Sequence, residues 1–132
     1  MKILIVEDEP TSRRLLQAIL SRYGACDLAQ DGEEAVEAFR SASEQGAPYD
    51  LICMDIMMPK LDGHEALAKM RDIEKERDVP PQDSAKVIMT TALDDPKNVV
   101  KAFYGERAGS YLVKPIEKQK LLEELQCMGL IE

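Results

Sequence analysis

Two hydrophobic periods exchange along this chain five times, and few folds tolerate that pattern. Lys2–Val6 and Leu51–Asp55 are short runs in which almost every residue is apolar, and Lys86–Thr91 has the apolar core Val87, Ile88 and Met89 and ends in hydroxyls. Such runs suit strands buried on both faces, where no alternation with polar residues is needed. Between them lie longer stretches whose apolar residues recur at helical spacing, for example Leu16, Ile19, Leu20 and Tyr23, or Ala66, Leu67, Met70 and Ile73. Two further strands are predicted over Cys26–Gln30 and Ser110–Lys114. Strict β-α alternation with buried strands and right-handed crossovers implies a parallel sheet covered by helices on both faces. The expected fold is a three-layer α/β domain of 132 residues, with no internal repeat and no linker.

Local signals place the helix ends. Pro10 suits a first helical turn, where its missing N–H costs nothing, and Gly24 is expected to stop that helix. Asp31 with Glu34, and Asp62 with Glu65, have the spacing of capping boxes. Ala35, Val36 and Phe39 form the core face of the second helix, and Gly46-Ala47-Pro48 breaks the chain after it. The charged run Glu74-Lys75-Glu76-Arg77-Asp78 reads as a solvated face, and 79–84 as a loop. Asp94-Asp95-Pro96 opens a helix with Val99, Val100 and Phe103 inward, closed by 105–109. A last helix carries Leu121, Leu122, Leu125 and Met128 on one stripe and stops at Gly129.

Charge and cysteine content exclude several classes of function. A net charge of -8 argues against nucleic acid or anionic membrane as the primary partner, since phosphate surfaces reward clustered Lys and Arg. Cys26, Cys53 and Cys127 show no C-x-x-C spacing and read as buried reduced thiols rather than as metal ligands or disulfides. The apolar run at residues 3–6 is too short for a signal peptide, and nothing approaches transmembrane length. A cytoplasmic location is the expectation.

The chemistry gathers at the ends of the strands. Taken alone, Asp55 at the end of Leu51-Ile52-Cys53-Met54 reads as a helix-capping aspartate. But the first strand ends in Glu7-Asp8, the fourth in Thr90-Thr91 and the fifth in Lys114. In a parallel sheet these ends lie on one side, where ligands of open α/β sheets bind. Clustered carboxylates repel one another unless a cation intervenes, and all-oxygen ligands select a hard ion such as Mg2+. A cation, a lysine and a hydroxyl around one carboxylate are what phosphoryl transfer needs, and the carboxylate can itself be the acceptor. No G-x-x-x-x-G-K-[ST] loop is present, so nucleotide hydrolysis is not indicated.

ILIVEDE, DLICMDIMMPKLDG, IMTTA and YLVKP, in this order and spacing, closely resemble the receiver domains of two-component response regulators over the whole length of the chain. The resemblance implies a flavodoxin-like (βα)5 domain with a five-stranded sheet of order 2-1-3-4-5, which sets the first strand beside the third. It implies that Asp55 accepts the phosphoryl group, Asp8 and Asp55 ligate Mg2+, Glu7 contacts it through water, and the backbone carbonyl of Met57 supplies a further ligand. Lys114 would pair with the phosphoryl group. Thr91 would bond a phosphoryl oxygen and signal its presence, with Thr90 an ordinary strand residue. Tyr111 occupies the aromatic switch position, against its plain reading as a partly buried strand tyrosine. Pro115 is expected to follow a cis peptide bond. Glu7 stands where the family often has aspartate. Met57 and Leu93 cannot orient an attacking water, so a long-lived phosphoaspartate is expected. His64, in the first turn of a helix, is expected at the surface.

The function so implied is a single-domain response regulator spanning 1–132, with no output domain. It would be phosphorylated by a histidine kinase or phosphotransfer protein, and then either switch its binding to a downstream protein or pass the phosphoryl group on. It would be a monomer or a phosphorylation-dependent dimer, and it would catalyse only its own phosphorylation and dephosphorylation. One alternative is a receiver-like interaction module that never takes phosphate. Another is a phosphatase with an aspartyl-phosphate intermediate, although a haloacid-dehalogenase-type enzyme would want aspartate where Met57 stands.

Overall fold

The computed structural model describes residues 1–58, 60–91 and 110–132. Five parallel strands, β1 (Lys2–Val6), β2 (Ala25–Ala29), β3 (Leu51–Asp55), β4 (Lys86–Thr91) and β5 (Ser110–Val113), form one sheet in the order β2-β1-β3-β4-β5. The described α-helices are α1 (Pro10–Leu20), α2 (Gly32–Glu44), α3 (Gly63–Glu76) and α4 (Lys118–Cys127), with a short 3-10 turn at Pro81–Asp83. This is the flavodoxin-like order expected. The helix expected from Asp94 onward, and Leu93, lie outside the described residues.

Period-two alternation divides the core. Leu4, Val6, Ile52, Met54, Val87 and Met89 face α2 and α3, where they meet Val36, Phe39, Leu67 and Met70. Ile3, Ile5, Leu51, Cys53, Ile88 and Leu112 face the other way, against Leu16, Leu20, Leu121 and Leu125 of α1 and α4. Both sets are buried, which is why β1, β3 and β4 read as continuous apolar runs. Truncating one such residue, Leu4 to Ala, costs about 2–5 kcal/mol through lost transfer energy and the cavity left behind.

The helix starts are set by side-chain caps. Glu9 accepts from the N–H groups of Thr11 and Ser12, and Pro10 occupies the first turn of α1. Asp62 and Glu65 make the full reciprocal capping box of α3, whereas at α2 only the Asp31 half forms. Three helices end alike. Gly46, Asp78 and Gly129 have φ of 75°, 55° and 75° and follow the last turns of α2, α3 and α4. In each the next N–H reaches back, as Leu130 N does to Leu125 O at 3.0 Å.

Some expectations need correction. Gly24 does not stop α1, which ends at Leu20; a Cβ there would lie 2.1 Å from Met1 O, so the residue is small to let β1 pass. Strand β2 runs Ala25–Ala29, one residue earlier than expected, and β5 ends at Val113. Cys53 is buried, but Cys26 is only partly covered and Cys127 is exposed. Glu74 is buried rather than solvated: it bonds Arg71 Nη1 at 2.7 Å and Ala85 N at 2.8 Å, tying α3 to the entry of β4. His64 is also buried, at 2% exposure. It shares the helical spacing 64, 67, 71, 74 with that same inward side.

Candidate functional site

At the C-terminal edge of the sheet four strand ends deliver polar side chains. Glu7 follows β1, Asp55 closes β3, Thr90 and Thr91 close β4, and Lys114 follows β5. Tight backbone links hold the ends together: Ile56 N donates to Thr90 O at 2.9 Å and Lys114 N to Thr91 O at 2.6 Å. Helix α3 begins against the same edge, with Gly63 N donating to Ile56 O at 2.9 Å. A Cβ at Gly63 would come within 2.7 Å of Asp55 O and 2.8 Å of Ile56 Cα, so only glycine allows this approach.

One lysine serves two buried carboxylates. Lys114 Nζ lies 2.8 and 2.9 Å from the two oxygens of Glu7 and 3.2 Å from Asp55 Oδ2. The other oxygen of Asp55 accepts from Met57 N at 3.1 Å, an aspartate turn that holds the carboxylate at the mouth of the loop. So Asp55 is not a helix cap; Asp62 takes that role for α3. Glu7 is fully buried and Asp8 is exposed, and Asp8 marks the side open to solvent.

Burial is the leading electrostatic influence. It raises the carboxyl pKa of Glu7, partly countered by the Lys114 hydrogen bond and reinforced by the charge of Asp55. It raises that of Asp55 too, against Lys114 and the Met57 N–H, with Asp8 adding to the rise. For Lys114, burial alone would lower the value, but bonding to Glu7 and the charge of Asp55 outweigh it and hold the ammonium charged. Among the described residues, the three clustered carboxylates outnumber Lys114 and the Arg13 guanidinium, which bonds the Glu7 main-chain oxygen, and this leaves a negative excess.

Glu7, Asp8 and Asp55 each present an oxygen within 4.8 Å of the others. An all-oxygen donor set with excess negative charge fits a hard divalent cation. Lys114 and Asp55 therefore meet as expected, and the acidic residues gather around them. Thr91 continues the β4 face of Val87 and Met89, the face on which partly buried Tyr111 packs. Met57 has an exposed side chain, at 68%. The Lys114-Pro115 bond is cis. Sequence reading missed the two-oxygen grip of Lys114 on Glu7, which only the folded side-chain contacts reveal, and the environment of Thr90, which the β3–β4 register reveals.

The model of the response regulator receiver domain family matches residues 3–126. The chain belongs to that family. It is 35% identical to the chemotaxis protein CheY of Treponema pallidum over 126 residues, 94% of this chain and 79% of the relative. It is 37% identical to the probable transcriptional regulator ycf27 of Cyanidium caldarium over 129 residues, covering 96% of this chain but only 45% of that protein. In structure it resembles a chain of the CheX-CheY-BeF3-Mg+2 complex from Borrelia burgdorferi, with TM-score 0.81, 28% identity, and coverage of 100% of this chain and 90% of the other. The receiver domain is thus homologous to the phosphorylated response regulators of two-component signalling, and its acidic cluster is consistent with the divalent-cation site typical of them. Among the described residues no helix is long and apolar enough to cross a membrane.

Proposed function

We propose that the chain is a phosphorylation-dependent switch in which Asp55 accepts a phosphoryl group from a histidine kinase or phosphotransfer protein. The observation that carries this reading is Lys114 Nζ bridging Glu7 and Asp55 inside an acidic cluster. In the transfer, one oxygen of Asp55 attacks phosphorus in line. The new O–P bond forms as the P–N bond to a phosphohistidine breaks, and the imidazole leaves with the electron pair. An acyl phosphate such as acetyl phosphate reacts likewise, releasing acetate.

Each residue then has a defined task. Asp8, Asp55, the Met57 carbonyl and, through water, Glu7 would hold Mg2+, which supplies charge neutralisation at the phosphoryl oxygens. Lys114 pairs with a phosphoryl oxygen that Asp55 now carries, and Thr91 donates a hydrogen bond to another. Tyr111, packed on the same face as Thr91, follows it inward. The surface along β5 and α4 changes, so affinity for a downstream protein changes with it. Passing the phosphoryl group onward uses the same Asp55. Neither Met57 nor Leu93 orients an attacking water, so the phosphoaspartate is long-lived, and loss of phosphate within a few seconds would contradict that.

Incubation with acetyl phosphate and Mg2+, read by intact mass, tests the proposal. One added phosphoryl group, absent in Asp55→Asn, is the expected result. No adduct from acetyl phosphate or from phosphorylated kinases would leave an unphosphorylated interaction module, and turnover of small phosphoesters would point to a phosphatase.

A further inference from the structure

Thr90 is a polar side chain in an apolar position, beside the acceptor. Two residues earlier Ile88 packs toward α1 and α4, so Thr90 faces that side, as do Glu7 two residues after Ile5 and Asp55 two after Cys53. The β3–β4 register makes Asp55 and Thr90 direct partners. Neighbouring strands lie about 4.7–4.9 Å apart, so these two side chains are next to each other on one face of the sheet. Thr90 is 1% exposed, and its Oγ1 has no hydrogen-bond partner among the described residues. Such a hydroxyl is unfavourable in the unmodified chain, where a valine of the same shape would fit without an unmet polar group.

Phosphorylation changes what surrounds that hydroxyl. In the unmodified site both Asp55 oxygens are engaged, Oδ1 by Met57 N and Oδ2 by Lys114. Once Oδ1 is esterified, the phosphoryl charge draws the Lys114 ammonium, and Oδ2 becomes an acyl carbonyl that has lost that donor and keeps a lone pair free beside the one it would give to Mg2+. We propose that Thr90 is a positioning residue for the modified aspartate, its Oγ1–H donating to the carbonyl oxygen of the Asp55 acyl phosphate. This rests on Asp55 being the acceptor. The hydroxyl fixes the rotamer of the phosphorylated side chain and stabilises the modified state without stabilising the unmodified one. Thr91, on the other face of β4, has a separate task toward the phosphoryl oxygens.

Fluoroberyllate with Mg2+, which forms a stable mimic of an acyl phosphate on a carboxylate, is the probe. Its affinity is measured by 19F NMR titration of the full chain as wild type, Thr90→Val, Thr90→Ser and Asp55→Asn, alongside urea unfolding of the unmodified proteins. Thr90→Val should bind about five- to tenfold more weakly, the size of one hydrogen bond. Thr90→Ser should bind within about twofold of wild type, since it keeps the same single donor. Thr90→Val should unfold at the same or a higher urea concentration. Equal affinity for wild type and Thr90→Val would overturn the inference and leave the acceptor reading intact. So would a clear loss of unmodified stability in Thr90→Val, because the hydroxyl would then already be bonded. No binding by wild type would remove the acceptor reading, and this inference with it.

Discussion

The two edges of the sheet are built on opposite principles. At the edge where the strands begin, polar groups pair locally and completely. Lys2 N donates to Asp50 Oδ2 at 2.8 Å, and Lys2 Nζ donates to Ala47 O at 2.7 Å while sitting 4.8 Å above the Tyr49 ring. Tyr49 Oη donates to Asp27 at 2.6 Å, and burial together with that carboxylate pushes its phenol pKa up. At the edge where the strands end, three carboxylates gather and Lys114 bonds only two of them, Glu7 and Asp55. The first edge is finished by folding. The second is left with a charge imbalance that a cation and a phosphoryl group would complete, and this imbalance, not the number of charges, distinguishes a site from a clamp.

The largest expected effect is at the unfinished edge. Lys114→Ala leaves Glu7 buried without its cation and should cost about 3 kcal/mol in urea unfolding at neutral pH, the low end for a broken buried pair because Glu7 can take up a proton. Adding MgCl2 should recover much of that loss; if it recovers none, the two edges differ less than argued. Next, Gly63→Ala forces a Cβ onto the backbone of Asp55 and Ile56, and should cost about 1–3 kcal/mol while slowing phosphorylation. At the finished edge Tyr49→Phe removes a donor from an exposed Asp27 and should cost about 1 kcal/mol, with no dependence on divalent cation. A cation-dependent loss there would break the comparison. Smallest is the cap of α1. The N–H groups of Ser12 and Thr11 hold the Glu9 carboxyl down at about 2. Its folded pKa lies below the unfolded one, so its contribution is present above about 4.5 and is lost as pH falls toward 2. Glu9→Gln should flatten that acid limb in a pH series of thermal melts.

Most of this architecture was legible, and its gaps have physical causes. Strands β1, β3 and β4 were read to the residue because central parallel strands are apolar on both faces. The edge strand β2, with Asp27 and Leu28 exposed, lacks that signature and slipped by one residue. Asp55 and Lys114 could be placed together because each ends an apolar run, and strand ends converge whatever the loops do. His64 and Glu74 were misplaced because a polar side chain on a helix does not announce that its neighbour across the packing offers a partner. Gly24 was read for backbone freedom, when its purpose is the passage of Met1. Thr90 was passed over because a threonine in a strand is unremarkable until the register sets it against Asp55.

Mapping the phosphoryl group directly tests the central claim, that the unfinished edge is finished on Asp55. After reaction with acetyl phosphate and Mg2+, borohydride reduction and peptide sequencing by mass spectrometry should find homoserine at position 55 and nowhere else. Label at His64 or on a hydroxyl residue, or an unmodified Asp55 in a chain that has gained a phosphoryl group, would contradict the account.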